Sequence, residues 1–384
     1  NNFFLSWSVD GIIIKWHLKS NSTQLFEGHK KSVRGLCKFD KNTVASWSLD
    51  GQIIIWCLKS NEKTILEKHK AEVEHLINND SHFISADRNG QIILWNINDL
   101  SYVELKGHTD AIVGLRFYGK NGAISWSMDN SIILWDLEKL KSDHLVGHLG
   151  YVRDVQVLDD TRIVSISGDC TLRIWDLVSK QCFLYDRHTK VVRGVSQLDN
   201  NKLITWSKDC TIRFWDLTVG GETTGFNFFN LLKENPYTII DFLSLDEHRL
   251  ISWTKENITC WNLSEGSNGV FKLPLTEKVV QLNSEELIVV NKQSSVTILN
   301  VVSGKQKKLE GHKATILDLL LINNNKVLLS WSEDGTIKLW DLKTTECLMT
   351  YVFEGVEKVF KISDSKYMCI SFNKKYRTLE LENF

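Results

Sequence analysis

A short alternating pattern near the end of the chain shows the unit from which the whole chain is built. Residues 330–342 read SWSEDGTIKLWDL, with apolar and polar residues alternating on either side of the pair Asp334-Gly335. An Asp-Gly pair between two alternating runs favours a β-hairpin, because Gly accepts the positive φ that such turns need. The pattern therefore predicts two short antiparallel strands, the second of which ends near Trp340.

The same pattern recurs with a period near 40 residues. The residue that ends the second strand of each hairpin is Trp16, Trp56, Trp95, Trp135, Trp175, Trp215, Trp261, Leu299 in a degenerate copy, Trp340 and Leu381 in a second degenerate copy. A fixed period of this length with strand-type patterning indicates a repeated sheet architecture. No segment has helical periodicity, so we expect an all-β fold of ten units, each with four short strands.

A set of four polar and aromatic residues occupies fixed positions in five units. Each set has a His, a Ser or Thr, an Asp and a Trp, and the His precedes the Asp by 21 or 22 residues. The sets are His29, Ser46, Asp50 and Trp56; His108, Ser125, Asp129 and Trp135; His148, Ser165, Asp169 and Trp175; His188, Thr205, Asp209 and Trp215; and His312, Ser330, Asp334 and Trp340. A sixth set, His69, Ser85 and Trp95, has Asn89 in place of the Asp.

These residue types match those of a catalytic triad, but their repetition predicts a structural role. An enzyme needs one Ser-His-Asp site and not five evenly spaced ones. Half-buried carboxylate, hydroxyl, imidazole and indole groups each need a hydrogen-bond partner, and here they can satisfy one another.

Two dipeptides point to a known family. Gly-His pairs stand at Gly28-His29, Gly107-His108, Gly147-His148 and Gly311-His312, and Trp-Asp pairs at Trp135-Asp136, Trp175-Asp176, Trp215-Asp216 and Trp340-Asp341. In these pairs, and in ten units that run in phase, the chain resembles the WD-repeat (WD40) family. The resemblance implies a β-propeller of four-stranded antiparallel blades, in which each His–Ser–Asp–Trp set forms a hydrogen-bonded network.

Ten units exceed the roughly 4–8 blades of one propeller, so we expect more than one propeller, one of them partial. Counting seven blades back from the C-terminus makes residues 100–384 one propeller, closed by a strand near 102–105, and residues 1–99 the last blades of a preceding one. Counting eight moves the closing strand to 64–66. A junction near residues 263–277 and one large ring that begins with residues 1–99 are alternatives. The chain begins with Asn1 and not with Met, so upstream domains are expected.

Composition narrows the class of partner. The formal net charge is −1 and no apolar run reaches the roughly 18 residues of a membrane span, so neither nucleic acid nor a membrane is expected as a partner. Eight cysteines include no C-x-x-C pair and no Cys/His cluster with zinc-like spacing. We therefore expect reduced thiols, a cytoplasmic location and no cofactor or metal.

Binding residues are expected where the copies differ. The family commonly binds through residues near the start of each inner strand and the residue before the turn Asp, which implies Arg34, Arg88, Met128, Tyr151, Arg153, Arg193 and Lys208. This partly basic rim suits an acidic or phosphorylated partner. Residues 218–236 lengthen their unit by six residues and contain Phe226, Phe228 and Phe229. They are either an apolar partner-binding edge or an outer strand packed on its own blade.

The sequence thus predicts a non-enzymatic scaffold that mediates protein–protein interaction. The alternative is a ligand-sensing, autoinhibitory C-terminal region of a larger signalling or defence ATPase, since the chain resembles the tandem propellers of apoptosome-type proteins. A propeller-channel enzyme is less expected, because no unpaired carboxylate pair or Gly-rich phosphate loop is present. RNA binding is less expected because all fourteen tryptophans lie at repeat positions.

Overall fold

Every regular element of the described chain is a β-strand. The structure is a computed structural model that describes residues 3–17, 22–199, 201–217, 240–246, 248–262, 267–292, 294–361, 365–371 and 376–381. The predicted edge at residues 218–236, with Phe226, Phe228 and Phe229, lies outside these ranges. The described ranges hold no helix, and therefore none long and apolar enough to cross a membrane.

The strands fall into two compact units, residues 1–229 and 230–384. The first unit contains β1 (Phe3–Trp7), β2 (Ile13–His17), β3 (Ser22–Phe26), β4 (Val33–Lys38), β5 (Thr43–Ser48), β6 (Ile53–Cys57), β7 (Lys63–Leu66), β8 (Val73–Asn78), β9 (His82–Asp87), β10 (Ile92–Asn96), β11 (Tyr102–Leu105), β12 (Ile112–Tyr118), β13 (Gly122–Ser127), β14 (Ile132–Asp136), β15 (Lys141–Leu145), β16 (Val152–Val157), β17 (Arg162–Ser167), β18 (Leu172–Asp176), β19 (Cys182–Tyr185), β20 (Val192–Asp199), β21 (Lys202–Ser207) and β22 (Ile212–Asp216). The second contains β23 (Asp241–Ser244), β24 (Arg249–Trp253), β25 (Asn257–Asn262), β26 (Ser267–Lys272), β27 (Thr276–Gln281), β28 (Glu286–Asn291), β29 (Val296–Asn300), β30 (Gln306–Leu309), β31 (Ile316–Ile322), β32 (Val327–Ser332), β33 (Thr336–Asp341), β34 (Cys347–Val352), β35 (Val356–Lys361), β36 (Lys366–Ser371) and β37 (Tyr376–Glu380).

Strands that follow one another in the chain pair antiparallel and form ten sheets. The sheets of the first unit are β1–β3, β4–β7, β8–β11, β12–β15, β16–β19 and β20–β22, and those of the second are β23–β26, β27–β30, β31–β34 and β35–β37. Among the described residues β1–β3, β20–β22 and β35–β37 have three strands, and the other seven sheets have four. The prediction of an all-β fold with ten repeated antiparallel units is confirmed.

The two strands named above as closing strands belong to their own sheets. β11 pairs with β10, with Leu105 opposite Ile92, and β7 pairs with β6, with Leu66 opposite Ile53. A short connection keeps each of these strands beside the strand that precedes it, so the expectation for these two strands is wrong. The propeller boundaries at residues 99/100 or near 263–277 stay a prediction.

Hydrophobic cores lie between consecutive sheets within each unit. Side chains alternate between the faces of a strand, so each sheet can bury apolar residues against both of its neighbours. Among the described residues, five such cores occur in the first unit, and three in the second. Between the sheets β4–β7 and β8–β11, for example, Ile53 and Val73 pack with Phe83 and Trp95. Face-to-face burial of this kind, worth roughly 1.5–3 kcal/mol per large side chain, holds the sheets of a unit together.

Candidate binding surface

Each His–Ser–Asp–Trp set forms a closed hydrogen-bond network inside one sheet. In the sheet β16–β19, His148 Nε2 lies 2.8 Å from Ser165 Oγ, and Trp175 Nε1 donates to the same oxygen at 2.7 Å. The other imidazole nitrogen, His148 Nδ1, lies 2.9 Å from Asp169 Oδ2. The sets of His29, His108, His188 and His312 have the same connections, at 2.7 to 3.1 Å.

Two further residues complete this network and were missed in the sequence. Ser167 Oγ accepts the Asp169 N–H at 3.1 Å and donates to the Gly150 carbonyl at 2.8 Å. Thr171 Oγ1 donates to Asp169 Oδ1 at 2.7 Å. The equivalents of Ser167 are Ser48, Ser127, Ser207 and Ser332, and those of Thr171 are Ser131, Thr211 and Thr336. Their recurrence at fixed offsets is the signal that could have found them.

The sixth set departs from the sequence interpretation. Its carboxylate comes from Asp87, which occupies the position of Ser167, and Asp87 Oδ2 lies 3.2 Å from His69 Nδ1. Asp87 Oδ1 also accepts the N–H groups of Asn89 and Gln91, at 2.9 and 3.0 Å. Asn89 in place of the Asp therefore does not leave this set without a carboxylate, because an acid two residues earlier reaches the same imidazole.

The networks keep the carboxylates charged and several of the imidazoles neutral. Burial raises the pKa of Asp169, but hydrogen bonds from His148, Thr171 and the Leu149 N–H outweigh burial and hold that pKa well below its usual range. The same balance lowers the pKa of Asp334 to about 2. Burial is the main cause that lowers the imidazole pKa, against the opposing effect of the neighbouring carboxylate, in His29, His108, His188 and His312.

This arrangement leaves the hydroxyl groups without access to a substrate. Ser46, Ser125, Ser165, Thr205 and Ser330 have no exposed surface. Each of these oxygens accepts the indole N–H of its own sheet and lies against an imidazole nitrogen. A buried hydroxyl with both neighbours fixed is a link in a structural network and not an accessible nucleophile.

A β-bulge at the second residue of the first strand recurs in eight sheets. The register shifts across this residue in each of them, and the bulged residues are Arg34, Glu74, Val113, Arg153, Arg193, Glu277, Leu317 and Glu357. In every case the residue before the bulge is buried and the bulged residue is not. Since a bulge re-aims its side chain out of the ladder, the fold presents one variable side chain per sheet at this position.

Three basic candidates come together on consecutive sheets. Arg153 Nε donates to the Arg193 carbonyl at 3.1 Å, and both side chains are exposed. Lys208 lies in the turn of the same sheet as Arg193, where its N–H donates to the Val191 carbonyl at 3.0 Å. Within the described part of the chain, no acidic side chain forms an ion pair with Arg153, Arg193 or Lys208. These three residues therefore form a local positive surface.

An aromatic ring and a thioether stand beside these charges. The ring of Tyr151 lies over the turn at Gly168, where an added Cβ would be 2.5 Å from Tyr151 Cε1. Met128, at the matching turn position of the preceding sheet, is 51% exposed. It directly follows β13, a strand that contacts β16. We name Met128, Tyr151, Arg153, Arg193 and Lys208 together the arginine surface.

Two further candidates lie on other sheets and are paired with acids. Arg34 Nε lies 2.9 Å from Glu74 Oε2, and Arg88 lies 3.8 Å from Glu72 Oε2. Their charges are therefore locally compensated, unlike those of Arg153, Arg193 and Lys208. Glu74 occupies the bulge position of the sheet that follows that of Arg34.

The repeated sheets with their internal networks define a WD-repeat β-propeller protein. The family described as WD domain, G-beta repeat matches residues 139–176, 179–216 and 303–341. This confirms the resemblance stated from the sequence. Members of this class generally serve as protein-interaction scaffolds and are typically non-enzymatic.

Two curated relatives and two solved structures are similar to parts or all of the chain. Over 128 residues the chain is 33% identical to the WD repeat-containing protein 89 homolog of Dictyostelium discoideum and 25% identical to F-box/WD repeat-containing protein 10 of Mus musculus. The similarity covers 32% of this chain, 31% of the first protein and 12% of the second. The chain thus spans less than two thirds of either relative.

The similarity to the two solved structures is at low sequence identity. The computationally designed Ika8 protein is 21% identical with a TM-score of 0.47, and the comparison covers 92% of this chain and 98% of that one. The WD40 beta propeller domain of Doa1 is 15% identical with a TM-score of 0.40, over 99% and 98% of the two chains.

Proposed function

We propose that this chain is a non-enzymatic interaction module that binds an acidic segment of a partner protein at the arginine surface. The observation that carries the proposal is the exposure of Arg153, Arg193 and Lys208 on two consecutive sheets without an acidic partner in the described part of the chain. Unpaired positive charges at one place favour a ligand with carboxylate or phosphate groups.

The neighbouring side chains add the apolar contacts that peptide recognition needs. The Tyr151 ring is held over Gly168 and offers a rigid amphipathic anchor, of the type enriched at interaction hot spots. Met128 adds an adaptable apolar contact. The segment recognised should therefore combine acidic residues with at least one apolar or aromatic residue.

The bulge supports this role by separating binding from folding. Val152 and Val192, which precede the bulged arginines, are fully buried and pack in the cores, so they fix the backbone. The arginine side chains then project from a fixed framework, which limits the conformational entropy lost on binding.

A charge-reversal variant tests the proposal. We expect Arg153→Glu with Arg193→Glu to weaken binding of peptides that contain Asp, Glu or phosphoserine and one aromatic residue by about tenfold or more, because like charges then face the ligand. Binding is measured by fluorescence polarisation against matched peptides with Asn and Gln in place of the acids.

Lys305→Glu with Lys307→Glu is the matched control, since it makes the same change in net charge on exposed residues of the second unit. It should leave peptide binding intact. Equal affinity of the natural chain for acidic and neutral peptides, or equal loss in the two variants, would overturn the proposal.

A further inference from the structure

A second basic cluster lies in the sheet β20–β22, at a different position of the repeat. In four other units the network histidine follows a glycine, but here His188 follows Arg187. In those units an added glycine Cβ would meet the side chain two residues before the network Trp. A Cβ added to Gly28 would lie 2.9 Å from Ile54 Cδ1, and one added to Gly147 would lie 2.9 Å from Arg173 Nη1.

In the sheet β20–β22, the residue two positions before the network Trp215 is Arg213. Arg213 stands opposite Thr205 in the register of β21 and β22, as Arg173 stands opposite Ser165 in the neighbouring sheet. By this equivalence the Cβ of Arg187 stands at the position that meets the Arg213 side chain, and the two guanidinium charges are close enough to interact. Arg187 is exposed, and Arg213 is half-buried.

The two positive charges lack a carboxylate of their own. Among the described residues, no acid forms an ion pair with Arg187 or Arg213, and the buried Nε of Arg213 has no hydrogen-bond partner. Asp209 is near, but its oxygens are used by His188, Thr211 and the Thr189 N–H. Burial lowers the pKa of Arg213; Asp209 raises it, and Arg187 lowers it again.

The neighbouring sheet shows how a single arginine is accommodated at this position. Arg173 lies over the Trp175 ring, 6.0 Å from its centroid, and donates from Nη1 to Cys182 Sγ at 3.3 Å. In that sheet the residue before the network His148 is Gly147, so this position supplies no second guanidinium. The arginine in place of glycine is thus the feature that distinguishes the sheet β20–β22.

We propose that Arg187 and Arg213 bind a phosphate-type oxyanion, either free or carried as a phosphate monoester on a partner. Planar guanidinium groups match the oxygens of phosphate with paired hydrogen bonds, and a dianion between them removes the repulsion of two like charges. The site uses none of the residues of the arginine surface and does not depend on the proposed function.

The test introduces residues that another unit of the molecule already has at the equivalent positions. Arg187→Gly and Arg213→Ile copy the residues found at these positions in the unit of Gly107 and Ile133, so both should fold, which circular dichroism checks. Arg173→Ile is the matched control in the neighbouring sheet. Binding of inorganic phosphate and of a phosphoserine peptide is measured by calorimetry at constant ionic strength.

We expect the natural chain, the Arg173→Ile control and the variant with Arg153→Glu and Arg193→Glu to bind at least one phosphate probe. Arg187→Gly and Arg213→Ile should lose about tenfold or more in affinity. Binding of the peptide but not of inorganic phosphate would assign the site to a partner's phosphate, and the reverse would assign it to a free ion. No binding by the natural chain, or equal binding by all five proteins, would overturn the proposal.

Discussion

At the scale of single residues, the network of His69 shows that the partner of an imidazole is whichever carboxylate lies within hydrogen-bond distance, whatever its position in the repeat. The five sheets with the other networks have Ser at the position of Asp87 and Asp at the position of Asn89. This sheet has the acid two residues earlier, and the carboxylate still lies 3.2 Å from His69 Nδ1. The two arrangements therefore supply the same negative charge to a buried ring from different backbone positions.

This exchange can be tested with one single and one double variant. Asp87→Ser should lower the free energy of unfolding by roughly 1–3 kcal/mol, because His69 loses its carboxylate and stays buried. Asp87→Ser with Asn89→Asp restores the arrangement of the other sheets and should recover most of that loss. Urea unfolding followed by tryptophan fluorescence measures both. An Asp87→Ser variant as stable as the natural chain would contradict the structural role of the networks.

The comparison with the sequence also turns on single residues. The connections of His148, Ser165, Asp169 and Trp175 could be predicted, because their offsets recur. The hydrogen bond of Asp87 with His69 could not be predicted in this way. An alignment assigns the acid by its position in the repeat, whereas a hydrogen bond requires only that the two atoms lie close together.

A second contact that the pattern could not predict joins glycine to tryptophan across strands. An added Cβ on Gly35, Gly114 or Gly194 would lie 2.1 to 2.2 Å from the ring of Trp47, Trp126 or Trp206. These glycines leave room for the ring that stands opposite in the register. The residues are about a dozen positions apart in the chain, and only the register of the two strands shows that they touch.

At the scale of elements, the fourth strands differ in how they protect a sheet edge. β30 carries exposed Lys307 and Lys308, whereas β34 has no charged residue and exposes Leu348, Met349 and Val352. Val352 is 66% exposed. An uncharged, apolar edge strand invites pairing with another chain, and lysine on the edge discourages it.

Val352→Lys should therefore reduce self-association and change the unfolding midpoint little, because the side chain is already largely in water. Light scattering during incubation at high protein concentration is the measurement. Lys308→Val, which removes a charge from β30, is the opposite change and should increase scattering. Equal scattering by both variants would show that these edges do not control association.

The bulge is the element that the sequence pattern left undetermined. The strand from Val152 to Val157 could be predicted from alternation, but the bulge at Arg153 depends on the register between Val152 and Ser167. The resemblance to the family implies Arg153 as a binding residue, and its exposed placement has its physical reason in this register shift.

At the scale of the whole molecule, the histidine networks are unevenly distributed. Residues 1–229 contain those of His29, His69, His108, His148 and His188, whereas residues 230–384 contain that of His312. The described part of the second unit thus combines this one network with apolar cores such as that around Ile251, Leu287 and Val289. The two units should therefore respond differently to acid.

The sign of this response follows from the lowered imidazole pKa values of His29, His108 and His188 in the first unit and His312 in the second. The unfolded chain takes up protons below about pH 6.5, before the folded chain does. Stability from these groups is thus complete above that pH and is lost as the pH falls toward the folded pKa. Carboxylate contributions follow below about 3.8, down to about 2 for Asp334.

We expect amide protection, corrected for intrinsic exchange rates, to fall more in the first unit than in the second between about pH 7.5 and pH 5. Hydrogen exchange with mass spectrometry gives the protection of each strand. The same experiment on His108→Gln should show a weaker pH effect in the sheet β12–β15. Equal loss in both units would show that the networks do not set the acid response.

The repeated bulge has a consequence for how this chain can change over generations. The residue before each bulge is buried and the bulged residue is not. Val113 and Leu317 still pack against hydrophobic cores, but a mutation at any of the other six bulges leaves the packing of the sheet nearly unchanged. These six positions can therefore acquire new side chains at little risk to folding. In the present chain these six positions hold three arginines and three glutamates. Recognition can diverge quickly on this scaffold while its architecture is inherited intact.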